Sequence, residues 1–278
     1  MRKVLVPVLM IACYAAAHAQ WQPCGVAVCD TPGSGPISHL PEIAPDGSGG
    51  AYIVWRDARN GVDYDVYAQH VDSTGKILWQ RNGIPLAALL YGQDYPMLCP
   101  DGSGGMFAAW EDSRPTLNDT YVFAQHVDAS GNQSWPMNGV QVSDAGGLFV
   151  RMVQDERGGL IVGWISFPTI LQADPYVQRL NSLGERVWGD SGVQLSSRSG
   201  YVFTGELAVA TDGAGGAIVA WIEDSLTYAQ HVDSSGQIKW QANGVSLSGS
   251  QKYARYVVGI ASDMQGGALR LSRFQLAI

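Results

Sequence analysis

One short pattern occurs five times in this chain, and nothing else in the sequence restricts its fold as much. APDGSGGAYIVW (44–55) returns as CPDGSGGMFAAW (99–110), VQDERGGLIVGW (153–164), ATDGAGGAIVAW (210–221) and, eroded, ASDMQGGALRLS (261–272). The Gly-Gly pairs start at 49, 104, 158, 215 and 266, a period of roughly 51 to 57 residues. A second signature travels in step: YAQHVDSTG (67–75), FAQHVDASG (123–131), YVQRLNSLG (176–184) and YAQHVDSSG (228–236). A third is a tryptophan followed by a Gly-apolar pair, beginning at Trp21, Trp79, Trp135, Trp188 and Trp240. Three signatures in one fixed order mean a tandem array, in which each unit is one supersecondary element stacked on the next.

Each unit reads as four short strands. The first, such as PEIAP, leads into an Asp-Gly turn. The second, GGAYIVW, is nearly continuous in apolar residues and is expected to be buried on both faces. The third, VYAQHVD, alternates apolar and polar as a half-exposed strand does. The fourth is ILWQRNGIPL, with Asn82-Gly83 permitting a tight bend or bulge. No stretch has a helical period. The expected fold is therefore all-β, a β-propeller of four-stranded antiparallel blades. Four repeats are complete, at about 30–86, 87–142, 143–195 and 196–247. A partial fifth, 248–278, is completed by residues 20–29 or ends degenerately. The rival architecture, a β-solenoid, has shorter coils and lacks hairpin turns.

Composition limits the function classes. The content of 34 Gly, 9 Trp and 12 Tyr with 15% charged residues suits a turn-rich β protein. Residues 1–19 read as a signal peptide: a basic MRK start, a short apolar run, and Ala17-His18-Ala19 before the cleavage point. A loose lipobox ending at Cys13 offers lipid anchoring as an alternative. The mature chain, residues 20–278, is expected to be a single exported domain, with no later transmembrane segment. Loss of Arg2 and Lys3 takes Lys+Arg from 17 to 15 against 25 Asp+Glu, a net charge of −10. Such a chain repels phosphate backbones, so nucleic acid is not an expected partner. Cys24 and Cys29 are either a disulfide pair or, with Cys99, small buried hydrophobes. No cysteine or histidine set has metal spacing, and no cofactor is implied.

The pattern D-G-x-G-G-apolar-W, then Q-[HR]-[VL]-[DN]-x-x-G, then W-x-x-x-G-[VI], resembles the tandem repeats of secreted bacterial β-propeller proteins. The resemblance covers nearly all of residues 21–272. It implies the propeller architecture and a cell-surface or secreted location, and says almost nothing about activity.

Repetition also sorts the candidate residues, because a structural residue recurs in each unit whereas a site residue is singular. His70, His126 and His231, with Arg179 in the third unit, share one position and are expected to pack or hydrogen-bond. Trp55, Trp110, Trp164 and Trp221 are expected core. Asp46 with Gly50, Asp101 with Gly105, and Asp212 with Gly216 are expected turns, since Asp bonds its own backbone and Gly accepts positive φ. One carboxylate per turn is too few for calcium.

The repeats disagree in the segments after the second and fourth strands, which a propeller gathers on one face. The expected ligand site collects Arg56, Asp57, Arg59, Asp63, Glu111, Asp112, Arg114, Asp224, Tyr91 and Tyr95 there. Asp65, Asp119, Tyr201 and Tyr256 belong to the same segments. Aromatic platforms with carboxylates and arginines suit a carbohydrate or a protein ligand. The leading expectation is a non-catalytic binding or scaffolding module. Alternatives are a glycan-active hydrolase using loop carboxylates, and a structural domain of a larger surface protein. No nucleophile, metalloprotease, phosphate-loop or dinucleotide motif occurs in a fitting context, so no catalytic residue is assigned. The oligomeric state stays open.

Overall fold

A computed structural model describes residues 25–30, 40–116, 119–169, 172–198, 202–224 and 226–247. The leader, Cys24, Tyr201, Tyr256 and the fifth repeat lie outside these residues, so the expectations placed on them are not taken further.

Among the described residues, four sheets of four antiparallel strands follow one another, each a simple meander. Blade 1 is β1 (Glu42–Pro45), β2 (Ala51–Asp57), β3 (Asp65–Val71) and β4 (Ile84–Ala87). Blade 2 is β5 (Gln93–Pro100), β6 (Met106–Thr116), β7 (Asp119–Val127) and β8 (Val140–Gln141). Blade 3 is β9 (Leu148–Gln154), β10 (Leu160–Thr169), β11 (Gln172–Leu180) and β12 (Val193–Gln194). Blade 4 is β13 (Val202–Thr211), β14 (Ala217–Glu223), β15 (Leu226–Val232) and β16 (Val245–Ser246). The first strands of successive blades lie beside one another, β1 on β5, β5 on β9 and β9 on β13, which is the inner wall of a β-propeller.

The second strands are buried on both faces because a blade packs on each side of them. Tyr52, Val54, Trp79 and Leu86 of blade 1 pack against Met106, Ala108 and Trp110 of blade 2. Phe107, Trp135 and Val142 meet Leu160, Val162 and Trp164 in the next seam, and Ile165, Val177 and Trp188 meet Val219 and Trp221 in the third. Trp55 packs with Val28 and Cys29 from the stretch preceding blade 1. All four tryptophans are core, at 4%, 0%, 1% and 0% exposure in chain order.

The recurring Asp-Gly segment is a turn closed by its own carboxylate. Asp46 Oδ1 accepts from the Ser48 and Gly50 backbone N–H groups at 2.7 and 2.9 Å, and Oδ2 lies 2.9 Å from His70 Nε2. Burial pushes this carboxyl up, but the bonds from His70, Ser48 and Gly50 outweigh it and hold it below the ordinary range. Gly50 has no room for a side chain: a Cβ there would stand 2.2 Å from the Val71 carbonyl oxygen. Asp101 with His126 and Asp212 with His231 repeat the arrangement. Asp155 completes the set in blade 3, where Arg179 replaces the histidine and donates from Nε at 2.9 Å.

Three expectations are corrected. The third strand is not half-exposed: Val66, Ala68, Gln69, His70 and Val71 are all buried. Its polar residues point inward because they are bonded there. Gln69 Oε1 accepts from the His70 and Trp79 N–H groups, and Nε2 donates to the Gln80 carbonyl at 2.7 Å. Those bonds replace ladder pairing, so the fourth strand is short and begins only after the turn at Asn82 (φ 69) and Gly83 (φ 86). The variable segments after the second strands of blades 2 and 3, expected to lie between strands, are themselves largely strand, since β6 runs to Thr116 and β10 to Thr169.

A tryptophan latch joins each blade to the next. Trp79 Nε1 donates to the Ala129 carbonyl, Trp135 Nε1 to Ser182 and Trp188 Nε1 to Ser234, at 3.2, 3.0 and 3.2 Å. Each indole lies against a hairpin glycine of the following blade: Gly131, Gly184 and Gly236. Any side chain at those glycines would strike the ring.

Candidate functional site

Antiparallel pairing brings the ends of the second strands and the starts of the third and first strands to one edge. The segments there are stitched together. Gln93 N–H donates to the Tyr64 carbonyl at 2.7 Å, Ser113 N–H to Gly92 at 3.0 Å, and Gly147 N–H to Thr120 at 2.7 Å. The variable segments of blades 1 to 3 therefore form one continuous face.

The sequence candidates divide into two sets on this face. Asp57 and Asp112 are fully buried and hold the tryptophan two residues earlier, because alternate strand residues share a face. Trp55 Nε1 donates to Asp57 Oδ2 at 2.9 Å, and Trp110 Nε1 to Asp112 Oδ2 at 2.8 Å. Arg59 pairs with Asp57 at 2.6 Å and lies over the Tyr67 ring; Arg114 pairs with Asp112 and lies over Phe123. Blade 4 builds the same unit from Trp221, Glu223, Arg198 and Tyr228. Blade 3 has Ser166 in the carboxylate's place, and there the buried Trp164 Nε1 has no acceptor. These residues recur, and in blades 1, 2 and 4 the carboxylate, the indole and the guanidinium engage one another within the fold.

The second set is singular. The residue after each core tryptophan is Arg56, Glu111, Ile165 and Ile222 in turn. The isoleucines are buried apolar packing. Arg56 instead reaches into blade 2 and pairs with both oxygens of Asp94, at 2.6 and 2.8 Å, flanked by the rings of Tyr64 and Tyr95. Glu111, 7% exposed, reaches into blade 3 and accepts from the Phe149 N–H at 2.8 Å. Burial pushes its carboxyl up to about 7, with Asp94 adding to the shift and Arg151 opposing it. Burial, with Asp63 and Asp57 nearby, likewise raises Asp65 to about 6.

Left-handed backbone marks the same edge. Asn82, Asn138 and Asn243 have positive φ in the recurring Asn-Gly turn, and Glu156 stands where the first, second and fourth repeats have glycine. The remaining non-glycine cases, Tyr91 (φ 72), Tyr95 (φ 48), Phe149 (φ 58) and Asp224 (φ 50), belong to no recurring turn and all lie on the variable face. Such residues cost about 1–3 kcal/mol each and cluster at ligand-binding positions. Tyr91 and Tyr95 are 42% and 53% exposed, and Leu90, next to Tyr91 in the chain, is exposed as well. Asp63 is held by Asn60 at 2.6 Å, and Asp119 is exposed at the blade 2 hairpin. Phe149 and Asp94 were absent from the sequence candidates, although the switch from Ile to Arg or Glu after the tryptophan was a readable sign of them. A separate groove of about 370 Å³ lies between blades 3 and 4, lined by Leu195, Ser197, Trp240 and Asn243.

No family model and no curated protein matches the sequence. Solved structures do resemble it. A protein of unknown function from Dyadobacter fermentans has a TM-score of 0.47 at 7% identity, covering 72% of this chain and 66% of its own. An endo-arabinase from Bacteroides thetaiotaomicron scores 0.38 at 17% identity, covering 65% and 68%. An endo-1,4-beta-xylanase from the same organism scores 0.38 at 8% identity, covering 75% and 76%. Likeness this distant carries no activity over. The fold rests on the topology of the four described blades, and no helix among the described residues is long and apolar enough to cross a membrane.

Proposed function

We propose that this protein is an exported β-propeller binding module that takes carbohydrate on the variable face of blades 1 to 3. The observation that supports this reading is the cluster of Tyr91, Tyr95 and Phe149 held in left-handed conformations around Arg56, Asp94 and Glu111. Aromatic faces with a few fixed polar groups are what a sugar ring needs: stacking for its C–H faces and oriented bonds for its hydroxyls. Asp57, Asp112, Arg59 and Arg114 support the site from beneath rather than touching ligand. The test is a glycan array with the mature protein and its Tyr91→Ala and Tyr95→Ala variants. Binding that Tyr95→Ala removes, with the fold intact, is the expected result. Retention of protein ligands alone would point to the scaffolding alternative.

A hydrolase is the second reading, favoured by Glu111. A carboxyl raised to about 7 is about half protonated at neutral pH, so the acid form a general acid requires is well populated. Its cross-strand neighbour Asp94 is occupied by Arg56, so no free partner carboxylate stands beside it. Hydrolysis of any arrayed glycan, lost in Glu111→Gln, would establish this reading over simple binding.

A further inference from the structure

Blades 2 and 3 carry the same irregularity at the same place. In β5 the pairing passes from Asp94↔Glu111 to Met97↔Ala109, three steps against two, so β5 holds one extra residue. In β9 it passes from Leu148↔Ile165 to Arg151↔Gly163, again three against two. Each bulge contains an aromatic residue in the left-handed region, Tyr95 in blade 2 and Phe149 in blade 3. A bulge of this kind re-aims a side chain, and both sit on the inner strands at the variable face.

Each bulge is also braced from the blade before it. Tyr95 N–H donates to Asp94 Oδ1 at 2.8 Å, and Arg56 of blade 1 clamps that carboxylate. Phe149 N–H donates directly to Glu111 Oε1 of blade 2 at 2.8 Å, while its ring meets Phe167 edge-on at 6.2 Å. The bracing residues occupy the one position where the third and fourth repeats keep isoleucine. Polar bracing and bulged aromatic thus come together in two successive seams, and apolar packing returns in the next.

We infer that Tyr95 and Phe149 are two consecutive aromatic subsites for one linear oligosaccharide chain running across the inner strands of blades 2 and 3. This rests on the carbohydrate reading above and goes further by specifying a chain rather than a single ring. Glu111 and Arg56 are positioning residues: they fix the backbone that aims each ring. A ligand with one sugar ring fills one platform; a longer chain fills both.

The experiment measures affinity by titration calorimetry for the disaccharide and hexasaccharide of each series the array identifies, from neutral glucans, xylans, arabinans, mannans and chitin. The hexasaccharide should bind at least about tenfold tighter than the disaccharide, the worth of one further stacked ring. Phe149→Gly, which also relieves the positive φ, should lower hexasaccharide affinity to the disaccharide level; Tyr95→Ala should weaken both. Glu111→Ala should reproduce the Phe149→Gly loss, with partial rescue in Glu111→Gln, which keeps an acceptor for the Phe149 N–H. Near-ultraviolet circular dichroism checks the fold of each variant, and if Phe149→Gly does not fold the Glu111 pair decides. Equal affinity for both lengths overturns the two-subsite inference and leaves the carbohydrate reading standing. No binding to any glycan overturns both.

Discussion

Replacing Asp112 with alanine should destabilise the protein more than most substitutions on the variable face. Asp112 is fully buried, and its Oδ2 accepts from Trp110 Nε1 at 2.8 Å, from Arg114 Nε at 2.9 Å and from Arg114 Nη2. Its Oδ1 accepts from the Arg114 backbone N–H at 2.9 Å. Alanine leaves a buried indole N–H without an acceptor and a guanidinium over Phe123 without its counter-charge. Breaking a buried pair costs about 3–5 kcal/mol. Arg114 retains 18% side-chain exposure, so water recovers part of that and about 3–4 kcal/mol is expected. At about 2–4 °C per kcal/mol for a domain of this size, Tm should fall by roughly 6–16 °C. Calorimetry of the wild type, Asp112→Ala, Arg114→Ala and the double variant gives the coupling energy, and the double should lose much less than the sum. Blade 3 shows that the fold survives without the carboxylate, since Trp164 Nε1 has no acceptor where Ser166 stands. A loss below about 1 kcal/mol, or strict additivity, would refute the view that these residues are support rather than ligand contacts.

Gly105→Ala should cost more than about 2 kcal/mol, because its Cβ would lie 2.2 Å from the Val127 carbonyl oxygen and 2.7 Å from Asp101 Oδ2; an unchanged urea midpoint would contradict the turn geometry. Arg179→His, which restores the residue found in the other three repeats, should change stability by less than about 1 kcal/mol, read from the same urea curves. Stability should also fall as pH rises. Glu111 goes from an ordinary 4.5 to about 7 on folding, so its contribution is complete below about 4.5 and is lost as pH climbs through 7. That shift corresponds to about 3 kcal/mol, and Glu111→Gln should flatten the curve in this window. On the acid side, Asp46, Asp101 and Asp212 are held below their usual range, so their contribution disappears as pH falls beneath about 4.

The architecture was legible because it is written several times over. A strand that is apolar in each copy must be buried on both sides, and a turn residue that returns each time cannot be a unique ligand. Orientation within the third strand was not legible. Gln69 and His70 are consecutive and face opposite sides of the sheet, so alternation alone would leave one of them in solvent, and their bonds to the Trp79 turn and Asp46 hold both inside. Asp155 escaped notice as a turn residue because Glu156 follows it instead of glycine, yet it closes the same loop. The braced bulges were hidden for a different reason. One extra residue in β5 or β9 changes no composition and no motif, and it becomes visible only when the strands are set in register. The charged residues near Trp55 and Trp110 were equally ambiguous, since an Asp and an Arg two apart pair only if the hairpin places them on one face.

The tryptophan latches have a consequence for how such a chain changes over time. Trp79, Trp135 and Trp188 each enter a socket whose floor is a glycine supplied by the following repeat. Among the described residues, the second and third repeats therefore each carry one plug and one socket, built from the same residue types in each. Duplicating or deleting a whole repeat preserves each remaining joint, whereas a cut elsewhere in the period separates a plug from its own blade. Gain and loss of binding surface in such a molecule is modular, with one period as the smallest unit that can be exchanged without rebuilding the seams.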